Sequence, residues 1–272
     1  MRKKRLKKRK SIRLKMAPGR KAESVQVVKY PRRKNFRRFL HLLSRLAFWL
    51  LADVKIVGME NIPENEPFLV VGNHFSFIDP VCFVRIFSWR LEFVGGAEMP
   101  HAPGIVKFIP KLWGYYPLYR GTGSHDSLRA AESVLTHSGI LGIFPEGGSW
   151  AEVLRPARPG TAYLAARTGA SILPVGLVGL NDIFPLKLGK RTKIEIRIGK
   201  PFGPLIAEGR GRERRQQLDE FGDVIMRHVA ELLPQEKRGR YSDDPAIRDA
   251  AKEFEAYPWD DKLEGEVVGE VH

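Results

Sequence analysis

Apolar residues along this chain come in short runs bounded by turn residues, and the stretches between the runs carry helical spacing. Phe68–Val71 is apolar throughout and predicts a buried strand. Leu91–Val94, Tyr115–Leu118, Leu141–Phe144 and Ile172–Val178 predict further strands, and Lys55–Val57 a short one. Helices are predicted over about 80–88, over His125–Thr136 ending at Ser138-Gly139, over Gly160–Thr168 closed by Gly169, and over Arg212–Leu233. Ala102–Leu112 reads as helical or irregular. Thr192–Ile198 alternates Ile with charge at period two, the pattern of a half-exposed edge strand. Strands alternating with helices imply an α/β fold, a layered, largely parallel or mixed sheet flanked by helices. There is no internal repeat.

The ends of the chain read differently. On a helical wheel of residues 36–53, Arg37, Arg38, His41, Ser44 and Arg45 fall within about a third of the circle, while Phe36, Phe39, Leu40, Leu42, Leu43, Leu46, Trp49, Leu50 and Leu51 cover the rest. A wide apolar face with a narrow basic stripe describes a helix lying in a membrane interface, here over 35–53. Packing against the core is the competing reading, and both can hold on different sides of one helix. The segment is broken by Arg45 and falls short of the roughly 20 apolar residues of a span. Its long basic lead also argues against a cleaved signal peptide.

Charge sharpens this division. The net charge of +15 is concentrated in the first 38 residues, which hold 18 Lys/Arg against the single acid Glu23. Residues 1–34 therefore read as a disordered basic arm, able to meet anionic phospholipid or a nucleic-acid backbone. The amphipathic helix that follows favours an anionic membrane surface, so nucleic acid is not the expected partner. Residues 237–272 read as a loosely structured acidic tail, with ten acids and three Lys/Arg from position 243 onward. The body between, 54–236, is the expected catalytic domain. Its one cysteine, Cys82, excludes an intrachain disulfide, suits a reducing compartment and sits among apolar residues as a small hydrophobe.

Candidate chemistry begins at Asn73-His74-Phe75-Ser76-Phe77-Ile78-Asp79-Pro80, directly after the Phe68–Val71 run. It places an imidazole at the carboxyl end of a strand, where open α/β sheets bind their ligands. His74 and Asp79 would lie about 140° apart on one helix, so they meet only if His74 occupies a turn and Asp79-Pro80 opens the next helix as N-cap and first residue. A carboxylate accepting the Nδ1 proton of an imidazole leaves Nε2 to take a proton, the wiring of a general base. Taken alone, the same pair also reads as a helix cap beside a satisfied turn histidine.

Three later blocks bear on that choice: Gly114–Gly121, a strand ending in Arg120; Ile140-Leu141-Gly142-Ile143-Phe144-Pro145-Glu146-Gly147-Gly148-Ser149; and Ile172-Leu173-Pro174-Val175-Gly176-Leu177-Val178. In this order the blocks resemble the glycerolipid acyltransferase family, typified by enzymes that acylate 1-acylglycerol-3-phosphate. Its members carry Asn-His-x4-Asp, a strand ending in Arg, Phe-Pro-Glu-Gly-Thr-Arg-Ser and a Val/Ile-Pro-Val/Ile block. The likeness spans about Val57 to Pro201.

The resemblance implies transfer of an acyl chain from a thioester, on coenzyme A or acyl carrier protein, to the free hydroxyl of a lysophospholipid. It gives His74 the role of base and Asp79 that of its orienting acid. Asn73, Arg120, Glu146, Gly147, Gly148 and Arg158 are the expected acceptor-binding residues. Arg120 suits the phosphate because guanidinium matches it bidentately. Glu146 would hold Arg120 or accept from an acceptor hydroxyl, and Gly147 would bring its backbone N–H close. Pro174 and Val175 are expected to pack near the acyl chain. Neither metal nor cofactor is expected, since the chain has no His-x3-His or Cys-x2-Cys spacing.

The chain departs from the family where Gly148-Ser149-Trp150 replaces Thr-Arg-Ser, which removes a cation; Arg155 or Arg158 can supply one from the same loop. The expected enzyme works at the cytoplasmic face of a membrane as a peripheral or monotopic protein. The alternatives are another lyso-lipid acceptor, a thioesterase using the same dyad on water, and a non-catalytic protein whose arm binds membrane or nucleic acid.

Overall fold

The computed structural model describes residues 32–64, 67–96, 108–118, 125–183 and 190–256. Its seven strands form one sheet: β1 (Ala52–Val57), β2 (Phe68–Gly72), β3 (Leu91–Gly96), β4 (Tyr116–Leu118), β5 (Ile140–Ile143), β6 (Ser171–Val178) and β7 (Thr192–Ile198). Across the sheet the order is β1-β7-β6-β2-β5-β3-β4. Neighbours run parallel except β6 and β7. The helices are α1 (Lys34–Leu51), α2 (Asp79–Ile86), α3 (Phe108–Trp113), α4 (His125–Thr136), α5 (Pro159–Thr168), α6 (Gly211–Ala230) and α7 (Pro245–Ala251).

The central strand β2 shows why the fold is layered. Alternate strand residues face opposite sides, so Phe68 and Val70 enter one core while Leu69 and Val71 enter another. The first core is covered by Phe48 of α1, Cys82, Phe83 and Val84 of α2, and Trp113 of α3. The second is covered by α4, α5 and α6 through Ala131, Leu164, Ile225 and Met226. A strand buried on both faces has no polar alternation, which is why this one reads as a continuous apolar run.

Three sequence expectations change here. Thr192–Ile198 is not an edge strand: β7 pairs with β1 on one side and β6 on the other. Its alternation records one buried and one open face, and the edge passes to β1, which begins at Ala52 rather than Lys55. The acidic tail does not start loosely at 237. Leu154 donates its N–H to the Lys237 carbonyl at 3.0 Å, Tyr241 donates its hydroxyl to Asp223 at 3.0 Å, and α7 follows. Residues 237–256 are therefore a folded strap on the body, while the basic arm through residue 31 and the tail from 257 lie outside the described residues.

Helix α1 is turned with the Arg37–His41–Ser44 side of its polar stripe inward, while Arg38 and Arg45 stay exposed. Arg37, Ser44 and Phe48 are buried, and Arg37 meets Glu92 of β3 in two bonds of 2.7 and 2.8 Å. Arg37 also donates to the Trp113 carbonyl at 3.0 Å, and Arg32 bonds Glu92 as well. Both Arg37 and Glu92 are fully buried, so the Arg37 charge depends on Glu92, and losing Arg37 leaves Glu92 only the partly exposed Arg32. Arg37→Met should lower unfolding stability by about 3 kcal/mol in urea titrations, and Arg37→Met with Glu92→Leu should recover most of that loss. Equal losses in the single and double variants would refute the pairing.

Candidate active site

β2 and β5 lie side by side in parallel, with Val71 opposite Ile143. Continuing that offset past both strand ends brings His74 level with Glu146. The His74 backbone N–H donates to Glu146 Oε1 at 2.7 Å. The two motif blocks thus meet because their strands are neighbours in the sheet, although 72 residues separate them.

His74 leaves the strand in a turn, and its Nδ1 lies 2.9 Å from Asp79 Oδ2. The same oxygen accepts the Ser76 N–H at 2.8 Å. Asp79 is the first residue of α2 rather than its cap, so the carboxylate sits at the positive end of the helix while reaching back to the ring. Burial pushes the Asp79 carboxyl above its ordinary range, against the opposing pull of the His74 and Ser76 bonds. The ring stacks on Phe144 at 4.5 Å, and Phe144 stacks on Phe83 at 4.8 Å. Orientation by an acid and by an aromatic face together fix the imidazole.

Glu146 is buried, and its carboxyl is pushed up to about 7. Burial is the larger cause, opposed by the Arg155 charge and the His74 N–H, with the nearby Asp79 charge reinforcing the rise. Glu146 is met by Arg155, whose Nε donates to Oε2 at 3.1 Å; the expected partner, Arg120, lies outside the described residues. Arg155 also donates to the Gly148 carbonyl and lies over the Trp150 ring, 3.5 Å from its centroid. Trp150 thus roofs this buried guanidinium.

The remaining predicted residues fall in three places. Gly147 holds φ at 79°, a backbone region open to glycine, but its N–H closes the turn onto the Phe144 carbonyl at 3.1 Å. Asn73 is buried and spans β2 to β6, donating to the Leu177 carbonyl at 2.9 Å and accepting the Leu177 N–H at 2.7 Å. That double bond pins the strand end carrying His74, in place of the acceptor contact expected of Asn73. Arg158 is exposed at the start of α5, tied to the same loop by its N–H to the Pro145 carbonyl at 2.8 Å. Pro174 and Val175 are buried residues of β6, and Val175 packs in the core with Phe68 and Phe83, which places it inside the sheet's packing rather than along an open chamber.

Sequence reasoning missed Phe144 as the ring's stacking partner, Leu177 as the Asn73 partner and the strap behind Arg155. An aromatic before Pro-Glu-Gly was the only visible trace of the first; the others need the sheet order. Among the described residues no group of three or more His, Cys, Asp or Glu side chains could hold a metal ion.

The chain has clear relatives. A family model described as Acyltransferase matches residues 53–178. The 1-acyl-sn-glycerol-3-phosphate acyltransferase of Borreliella burgdorferi is 31% identical over 147 residues, covering 52% of this chain and 57% of that protein. The enzyme of the same name from Bacillus subtilis is 25% identical over 154 residues, 56% of this chain and 75% of its own. The chain thus spans little more than half the length of the first of these relatives. The crystal structure of the 1-acyl-sn-glycerophosphate (LPA) acyltransferase PlsC from Thermotoga maritima superposes with a TM-score of 0.50 at 28% identity, covering 72% of this chain and 79% of that one. Residues 53–178 thus match the acyltransferase family model, and the mixed α/β sheet and the ordered motif blocks at its strand ends make this domain similar to the glycerolipid acyltransferases.

Proposed function

We propose that the protein transfers an acyl chain from a thioester, on coenzyme A or acyl carrier protein, to the free hydroxyl of a lysophospholipid, 1-acylglycerol-3-phosphate in the first place. The observation that carries this reading is the His74–Asp79 contact of 2.9 Å at the end of β2, facing Glu146 across the strand pair. With Nδ1 donating to Asp79, Nε2 takes the hydroxyl proton as the oxygen attacks the thioester carbon. The tetrahedral oxyanion collapses, the carbon–sulfur bond breaks, and the imidazolium returns its proton to the departing thiolate. Ester and free thiol are the products, with no net change in protons. The acceptor phosphate falls to Arg120 and the exposed Arg158, since Arg155 is internally engaged.

Membrane attachment belongs to the same reading. The apolar face of α1 points away from the body, with Leu42 and Trp49 each 65% exposed and Phe39, Leu43, Leu46 and Leu50 beside them. Lys34, Arg38 and Arg45 form an exposed basic ridge along one edge of that face. No described helix is long and apolar enough to cross a membrane. An outward apolar face with a basic flank fits a helix lying in the headgroup region of an anionic bilayer.

The test uses a labelled acyl thioester, vesicles and a panel of lysophospholipids, with lipids resolved by mass spectrometry. Diacyl product should form in step with thiol release, and only when a lysophospholipid with a free hydroxyl is present. Thiol release at the same rate without acceptor would identify a thioesterase and overturn the assignment.

A further inference from the structure

Arg155 is 1% exposed, yet nothing in the motif pattern requires a cation at that position. Desolvating a guanidinium costs several kcal/mol unless its partners are well placed. Here it meets the Glu146 carboxylate at 3.1 Å, the Gly148 carbonyl and the Trp150 ring. The loop carrying it is held from behind by the strap. Leu154 donates its N–H to the Lys237 carbonyl at 3.0 Å, and Lys237 bonds Glu152 at 2.8 Å. Gly239 lies so close that a Cβ there would overlap the Leu154 carbonyl oxygen, and its φ of 52° independently selects glycine. Tyr241 then ties the strap to Asp223 on α6 at 3.0 Å. A continuous set of contacts therefore runs from α6 through residues 237–241, Leu154 and Arg155 to Glu146, and from Glu146 to the backbone of His74.

We propose that Arg155 is a positioning residue, locked by the C-terminal strap, which holds Glu146 against the His74 amide and so sets the placement of the base without touching the acceptor. The proposal rests on His74 being the base, and it moves the cation lost with the family's Thr-Arg-Ser from the substrate side to the interior. The charged and titratable groups facing Glu146 are Arg155 from the following loop, and His74 and Asp79 from the β2–α2 turn. Removing Arg155 deletes the positive charge that opposes the effect of burial, so the Glu146 carboxyl keeps its proton to higher pH.

The experiment follows the His74 backbone amide of the full-length, 15N-histidine-labelled protein in detergent as pH is raised. Its shift should titrate with a midpoint near 7 in the unmodified chain and move up by about one pH unit or more in Arg155→Met. Arg155→Lys, which keeps a buried cation if Met impairs folding, should move it less. Glu146→Gln should abolish the step. In acyl-transfer assays the acid limb of kcat should shift alkaline by the same amount in Arg155→Met, with KM for the acceptor changed less than about threefold. An unmoved amide midpoint in a folded Arg155 variant overturns the proposal. So does a large rise in acceptor KM with an unmoved acid limb, which would make Arg155 a phosphate ligand. If no variant, nor the unmodified chain, transfers an acyl group, the functional reading fails while the amide titration still decides the role of Arg155.

Discussion

His74→Ala is expected to lower acyl transfer by about 10²–10⁴-fold, the usual contribution of a positioned acid–base group. The fold should survive, because the structural duty of this residue is its backbone N–H to Glu146, which alanine keeps. The ring's own contacts are the Asp79 bond and the Phe144 stack, and losing them leaves a small gap at a partly open position. Asp79→Asn should fall in the same range by a different route. An amide in place of the carboxylate cannot stabilise the imidazolium and offers a donor where Nδ1 needs an acceptor. Transfer near the unmodified rate in His74→Ala, with unchanged circular dichroism, would remove the base from the mechanism.

The second large effect concerns α1. Leu46→Glu with Leu50→Glu should release the protein from anionic vesicles, weakening binding by about 10²–10⁴-fold. Each buried leucine contributes about 1.5–3 kcal/mol to such partition, and the new charges face the headgroups. Thermal unfolding in the absence of lipid should barely move, because both side chains already face outward, 50% and 58% exposed. Co-sedimentation that is unchanged by the pair of substitutions would show that another surface holds the bilayer. Truncation through residue 53 is a poorer test than it looks from sequence. It strips Arg37 from the buried Glu92 and removes Ala52 and Asp53 from β1. A loss of binding would then be inseparable from a loss of fold.

The same helix shows how far a one-dimensional pattern reaches. Its wheel separates a polar stripe from an apolar face, and the usual expectation would turn the apolar face inward. The opposite happens because Arg37 finds Glu92, and His41 finds the Val84 carbonyl at 2.6 Å, on the body. Amphipathicity can be seen in the sequence; which face is inward depends on a partner 55 residues away. Likewise, period-two alternation in β7 reports a half-buried surface but carries no information on whether its backbone is paired on one side or both. The acids that suggest a loose tail start only at 243, and charge carries no information on residues 237–242 before them, where Gly239 lies against the Leu154 backbone and Tyr241 is buried.

By itself the sequence determined the strand and helix alternation, the His-x4-Asp turn at a strand's carboxyl end and the presence of an acid in the later Pro-Gly turn, because these depend on local spacing and backbone preference. Only the tertiary structure decided who meets whom. Glu146 takes Arg155 and the His74 amide, Asn73 ties to Leu177, and α1 shows its leucines to the outside. Those choices follow from strand order and from the cost of leaving buried charges unmatched, and both are properties of the folded whole, where residues far apart along the chain share a register.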